Sequence, residues 1–222
     1  ARSAGKSYAA AVEGRWAMGT PVPMGIGSLP VQNAAEVEQV SSGVDFIFCA
    51  VDMPKEEIRA LEERYARAET PVVSNNSAHR WTADVPMLIP EVNAAHTAVI
   101  PSQRKRLGTR RGFIAVKPNC SIQSYVPALD ALREFVPERL FVCTYQAISG
   151  AGKTFKDWPE MVDNVIPYIG GEEEKSEKEP LKVWGAVKGG QIVPAETPGE
   201  APTISSQCVR VSASDGHLAA VF

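Results

Sequence analysis

The residues best suited to do chemistry lie in Lys117-Pro118-Asn119-Cys120-Ser121-Ile122-Gln123-Ser124. An apolar, strand-like run, 112–116, comes before them, and 125–132 has the apolar spacing of a helix. A cysteine at a helix start meets unpaired amide N–H groups and the positive end of the helix dipole. Both favour the thiolate, the nucleophilic form of the side chain. The plainer alternative is a thiol packed as a small hydrophobe. Seven further polar residues stand beside irregular backbone: Arg80, Asn119, Gln146, Glu172, Lys175, Arg210 and His217. With Cys120 they offer a nucleophile, a base, an orienting amide and two to three cations. That inventory suits covalent acyl chemistry on a substrate bearing a carboxylate or phosphate. Taken singly, each has a structural reading: a satisfied histidine, a surface ion pair, a surface amide, a solvated charge run.

The elements that must position these groups are read from hydrophobic pattern. Residues 44–51 form a near-continuous apolar run, as in a parallel strand buried on both faces. A charged helix over 54–68 places Ile58, Leu61 and Tyr65 on one face, and 71–74 is the next strand. Strand, helix, strand predicts an α/β layer with a parallel sheet. Ligands of such sheets bind at the carboxyl ends of the strands, so 50–51 and 74–77 are expected to line a cofactor crevice. Residues 33–40 suit a short helix, and 121–134 a longer one. The alternation over 140–148 predicts a half-exposed antiparallel strand. Further strands are expected over 209–211 and 215–221. The charged stretches 103–111 and 167–179, and 188–202, read as loops.

Composition narrows the function classes. The chain has 222 residues, 44% hydrophobic and 22% charged, with net charge −3. This is the size of one large domain or two small ones. Mild acidity gives no reason to expect nucleic-acid or membrane-surface binding. No apolar run reaches the roughly 18 residues of a membrane span. The cysteines, 49, 120, 143 and 208, lack metal-site spacing, so no metal centre is expected. Reduced thiols, and with them a cytoplasmic location, are the simplest reading.

Five motifs in order carry a resemblance. They are 84–93 (Asp-Val-Pro-Met-Leu-Ile-Pro-Glu-Val-Asn), 118–121 (Pro-Asn-Cys-Ser), 146–152 (Gln-Ala-Ile-Ser-Gly-Ala-Gly), 166–175 (Ile-Pro-Tyr-Ile-Gly-Gly-Glu-Glu-Glu-Lys) and 214–217 (Ser-Asp-Gly-His). Together they resemble aspartate-semialdehyde dehydrogenase, in the branch found in fungi and archaea. The resemblance implies an NADP-dependent oxidoreductase of threonine and methionine biosynthesis. Such an enzyme interconverts L-aspartate 4-semialdehyde plus phosphate with L-aspartyl 4-phosphate through a thioester. It further implies Cys120 as nucleophile, His217 as acid/base and Gln146 as the amide that orients the acyl group. Arg210 would bind the substrate carboxylate, and Glu172 the amine, with Glu173 close enough to share that place. Arg80, Asn119 and Lys175 would bind phosphate. Arg2 and Ser3 would flank the 2′-phosphate of NADP, with Ser149, Gly150 and Gly152 near the nicotinamide. A homodimer or homotetramer is also implied.

The expected fold class is therefore α/β. It comprises an incomplete Rossmann-like NADP-binding domain, 1–118, and an α+β catalytic and dimerisation domain, 119–222, with a mixed or antiparallel sheet. The family's first strand with its glycine-rich turn, and its final return helix, have no counterpart in the sequence. The expectation is that the 222-residue chain binds NADP poorly; a titration giving micromolar NADPH affinity would overturn it. Two other readings stay open at this point. One is a sibling N-acetyl-glutamyl-phosphate reductase; the other is an inactive paralogue acting as a subunit.

Overall fold

A computed structural model describes residues 3–16 and 18–222. Three short helices, α1 (Tyr8–Val12), α2 (Met24–Gly27) and α3 (Val37–Ser41), lead into β1 (Ile47–Cys49). Then follow α4 (Lys55–Arg67), β2 (Val72–Ser74), α5 (Pro90–Asn93), α6 (Ile100–Leu107) and β3 (Ile114–Val116). The three strands form a parallel sheet in the order β1-β2-β3. One face of the sheet is sealed, as Val72, Ile114 and Val116 show, but Phe48 and Val73 on the other face are exposed. The run over 44–51 is therefore not buried on both faces as expected, and only 47–49 of it is strand.

Helix α4 forms for the reasons its sequence offers. Glu56 and Glu57 sit in the first turn and Arg64 and Arg67 in the last, each complementing the helix dipole. Ile58, Leu61 and Tyr65 are buried as expected, and so is the charged Glu62. The helix packs hard on the start of β3: a Cβ on Gly112 would lie 1.8 Å from the Ala66 carbonyl oxygen. Residues 86–88 run beside β3, joined by Val116 N to Pro86 O at 2.9 Å and Leu88 N to Val116 O at 2.9 Å. This pairing anchors the irregular 76–90 segment, with Arg80, next to the strand that leads to Cys120.

The second layer contains α7 (Val126–Asp130), β4 (Arg139–Gln146), β5 (Val165–Ile166) and α8 (Glu172–Val183). A hairpin follows, β6 (Ala186–Lys188) and β7 (Gln191–Val193), and then β8 (Thr203–Val211) and β9 (His217–Val221). The sheet is mixed, in the order β5-β8-β4-β9. β4 alternates in burial as expected, but it pairs parallel with β8 and antiparallel with β9. The alternation reported one covered face and could not report strand direction. One continuous apolar cluster joins both layers, from Val37 and Val72 through Ile122 to Val142 and Ile204.

Four expected loops or helices differ. The basic 103–111 stretch is largely α6, closed by Gly108 in the left-handed region. The charge run 167–179 holds most of α8. Within 188–202, Gly189 and Gly190, both at positive φ, close the β6–β7 hairpin. The 121–134 helix is broken into 3₁₀ turns at Ile122–Ser124 and Arg133–Phe135 around the five-residue α7.

Candidate active site

Helix α8 organises the site. Gly171 enters it at φ +73, and Glu172, Glu173 and Glu174 fill the first turn, where negative charge is favoured. Lys178 donates to Glu174 at 2.8 Å on the exposed face. The inward face carries Glu172, Ser176, Glu179 and Lys182, the last three at 2% exposure or less. Pro180 lies inside the helix and cannot donate to the Ser176 carbonyl one turn back. The Tyr125 hydroxyl donates to that carbonyl instead, at 2.9 Å. Because this buried face is polar, hydrophobic periodicity could not find the helix. The signal was present in charge spacing: 172, 175, 179 and 182 recur at helical intervals.

Cys120 is exposed, while its neighbours Asn119 and Ser121 are buried. The Asn119 Oδ1 accepts from Ser121 N at 2.8 Å and Ser121 Oγ at 2.6 Å, closing a tight turn. Its Nδ2 donates to Glu172 at 2.9 Å. A three-residue 3₁₀ turn follows, so the helix-start argument for a reactive thiol loses its basis. Lys117 and Arg210 both interact electrostatically with the Cys120 sulfur. Burial pushes the Lys117 ammonium below its usual range, against the pull of Cys120, Glu179 and Glu172. Burial likewise lowers Arg210, against Glu172 and Cys120.

Three expected site residues stand in one row across the mixed sheet. Gln146 in β4 pairs with Arg210 in β8 and with His217 in β9. Directly paired residues point to the same face, so these three side chains share one side. Gln146 is 1% exposed and Arg210 6%, and Arg210 donates to the Ala147 carbonyl at 2.8 Å. His217 Nδ1 lies 2.7 Å from the Gly216 carbonyl. A carbonyl only accepts, so Nδ1 carries the hydrogen and the neutral ring keeps a lone pair on Nε2. Gly150 closes the site: a Cβ there would sit 2.8 Å from both Arg210 Nη1 and His217 Cε1.

Glu172 links the helix to this row. It accepts from Lys175 at 2.6 Å and from Asn119 at 2.9 Å, and its charge acts on Arg210 in the row, while the Gln146 amide donates to Thr144 Oγ1 at 3.2 Å. Burial alone would push its carboxyl up, but Lys175 and the Asn119 amide outweigh it and hold it below the usual range. Glu173 turns to the Cys208 backbone N instead, at 3.3 Å. Of the two glutamates, Glu172 is the one in the cluster.

Arg80 joins through Glu179, a residue the sequence reading missed. Arg80 Nη1 donates to Glu179 Oε1 at 3.0 Å, and Glu179 Oε2 accepts from Asn119 N at 2.6 Å. Lys182, also missed, donates to the carbonyls of Arg80, Thr82 and Val85 at 2.6, 2.8 and 3.0 Å. Three carbonyls on one ammonium fix the path of the 80–85 loop.

The cofactor residues fall in two places. Arg2 lies outside the described residues. Ser3 lines a cleft of about 700 Å³ with Asn33, Val51, Asp52 and Met53, beyond the carboxyl end of β1. Val51 is where the crevice was expected, but Ser74 turns inward to Glu62 and lines nothing. Ser149 and Gly150 occupy a 3₁₀ turn that ends at Gly152, φ +66. A groove at the strand ends, and a backbone at 150 with no room for a Cβ, fit a dinucleotide approaching the His217–Arg210 row.

The profile described as "Semialdehyde dehydrogenase, NAD binding domain" matches residues 1–100, and "Semialdehyde dehydrogenase, dimerisation domain" matches 127–222. The chain is 36% identical over 222 residues to the aspartate-semialdehyde dehydrogenase of Aspergillus fumigatus, covering 99% of this chain and 59% of that protein. The Archaeoglobus fulgidus enzyme of the same name is 36% identical, with 100% and 61% covered. Among solved structures, the Candida albicans aspartate-semialdehyde dehydrogenase with NADP aligns at TM-score 0.85 and 33% identity, covering 100% of this chain and 61% of that one. The Vibrio cholerae aspartate-semialdehyde dehydrogenase II complexed with ASA aligns at TM-score 0.68 and 25% identity, with 99% and 62% covered. The chain thus spans about 60% of the length of these relatives. Two profiles of one family, matched in order, and relatives alike across the full chain lead to one assignment: the chain belongs to the semialdehyde dehydrogenase family.

Proposed function

We propose that this chain carries the reaction centre of an NADP-dependent aspartate-semialdehyde dehydrogenase, an enzyme of threonine and methionine biosynthesis working in the cytoplasm. The observation that carries the reading is the Arg210–Gln146–His217 row, together with Glu172, which accepts from Asn119 in the turn that bears Cys120. A guanidinium, an amide, a base and a thiol are the groups that a small anionic aldehyde needs, and the row and the turn supply them. The division of labour at 118/119 is part of the proposal, with the parallel sheet serving the cofactor and the mixed sheet the substrate.

In the oxidising direction the Cys120 sulfur adds to the aldehyde carbon, forming a C–S bond. His217 Nε2 takes the thiol proton, gives it to the oxygen that gains charge, and takes it back from that oxygen as the thioester forms. Gln146 orients the acyl oxygen, and Asn119 belongs with the phosphate-binding groups. Arg210 binds the α-carboxylate with two parallel N–H donors, a contact lysine cannot reproduce. Glu172 receives the substrate ammonium. Arg80 and Lys175 hold phosphate, whose oxygen attacks the thioester carbonyl as the C–S bond breaks and the Cys120 thiolate leaves. When bound along Ser3, Ser149 and Gly150, NADP supplies the two-electron oxidation by accepting a hydride.

The test is phosphate-dependent NADPH formation from L-aspartate 4-semialdehyde. Replacing Cys120 by Ala is expected to lower kcat about 10⁴-fold. Equal turnover of N-acetyl-glutamate semialdehyde, or turnover that survives Cys120→Ala, would sink the reading. Self-association belongs to the same proposal. The face of the mixed sheet away from α8 exposes Phe141, Tyr145, Leu218 and Phe222, an apolar surface suited to a second copy. Tyr145→Lys with Leu218→Lys is expected to move the sedimentation coefficient to that of a monomer.

A further inference from the structure

We propose that Glu179 is a positioning residue that ties the phosphate-binding guanidinium to the nucleophile's turn. The proposal rests on the reading of phosphate as a substrate. Both carboxylate oxygens of Glu179 are committed, one to Arg80 Nη1 at 3.0 Å and one to Asn119 N at 2.6 Å. The group is 1% exposed and Arg80 6%, so the pair is shielded from water. One side chain of α8 therefore sets two things at once: where the Arg80 fork points, and where the backbone immediately before Cys120 runs. The spacing between bound phosphate and sulfur is fixed through this carboxylate together with the direct bond from Arg80 Nε to the Lys117 carbonyl.

The donors of Arg80 support this role. A guanidinium has five N–H groups. One goes to Glu179, Nε donates to the Lys117 carbonyl at 3.1 Å, and Nη2 to the Asn75 carbonyl at 3.3 Å. Two N–H groups remain, one on each terminal nitrogen, the number a two-point contact to phosphate oxygens uses. Lys182 fixes the Arg80 backbone from the same helix face. Three acceptors hold the guanidinium, and of these Glu179 is the charged one and also bonds the Asn119 backbone. An amide cannot substitute here. Glutamine has one acceptor oxygen, while Arg80 and Asn119 both present N–H donors, so its NH₂ must face one of them. Aspartate keeps the charge but falls one methylene short of bridging both.

Phosphate titration, by ³¹P NMR for binding and by KM in the turnover assay, tests the proposal. Glu179→Gln is expected to weaken phosphate at least tenfold while the semialdehyde KM stays within twofold. In an Arg80→Met background the same substitution is expected to change phosphate binding less than twofold, since the group it positions is gone. A purely structural glutamate would instead lower stability and active fraction without singling out phosphate. Phosphate binding within twofold of the unmodified protein, or full additivity with Arg80→Met, would overturn the proposal alone. Absence of any phosphate effect in the unmodified protein would overturn the functional reading, and this proposal with it. Should Glu179→Gln fail to fold, Glu179→Asp carries the same expectation with the charge retained.

Discussion

Cys49 and Cys120 stand at the same end of one parallel sheet, the first closing β1 and the second four residues beyond β3. Their neighbourhoods hold nearly the same residue types. Around Cys49 are Glu62, Ser74, Asn76 and His79; around Cys120 are Asn119, Ser121, Glu172 and, on the adjoining row, His217. What differs is charge and access. Burial and the facing Glu62 push the Cys49 thiol up to about 11, and the side chain is 5% exposed. Burial also pushes His79 below its usual range. Cys120 is exposed and faces the cations Lys117 and Arg210. Thiol reactivity is a property of the surrounding field, not of the list of neighbours.

The largest expected effect separates the two thiols directly. At pH 8 a thiol titrating near 11 is about one part in a thousand thiolate, and the thiolate is what iodoacetamide attacks. Peptide mass spectrometry after limited alkylation is expected to find Cys120 modified at least about 100-fold faster than Cys49. Equal labelling would show that the contrast between the clusters is false. Cys49→Ala is expected to leave turnover within about threefold, which sharpens the point that only one cluster is chemical.

A smaller effect probes the geometry on the reactive side. Gly150 has no strained φ, so alanine is tolerated by the backbone, yet its Cβ would meet Arg210 Nη1 and His217 Cε1 at 2.8 Å. Displacing both groups from the row is expected to lower kcat/KM about 30-fold with little change in melting temperature. Normal activity in Gly150→Ala would mean that these two side chains do not work where they are held. No equivalent close approach to a glycine occurs beside Cys49 among the described residues.

The same contrast explains what the sequence revealed and what it hid. The strands of the parallel sheet and helix α4 were legible because apolar residues recur there at the proper period. Cys120, Gln146, Arg210 and His217 were legible from chemistry and motif order. Helix α8 was hidden, since its buried face presents Ser176, Glu179 and Lys182 where an apolar stripe would normally stand. Glu62 was hidden for the same reason, as a charge on the inward face of an otherwise amphipathic helix. The two glutamates are the least expected buried groups in the chain, and each is the hub of one cluster. Buried carboxylates cost several kcal/mol unless paired, so their partners are found only once tertiary contacts are known.

The smallest expected effect lies in alkaline stability and tests the sealed cluster alone. The folded state holds the Cys49 proton to about pH 11, against an ordinary value of 9.0. A group whose pKa is raised by folding adds stability that is complete below the lower value and is lost as pH climbs toward the higher. Between pH 8 and pH 10 the unmodified protein is therefore expected to lose on the order of 1 kcal/mol more than Cys49→Ala, which has no thiol to titrate. Denaturant unfolding at the two pH values measures the difference. Glu62→Gln removes the facing carboxyl, one of the causes that raise the thiol after burial itself, and is expected to reduce this extra loss without abolishing it. If the stability curves of the unmodified protein and Cys49→Ala run parallel from pH 8 to pH 10, burial and Glu62 do not hold that proton. The difference between the two cysteines would then rest on exposure alone.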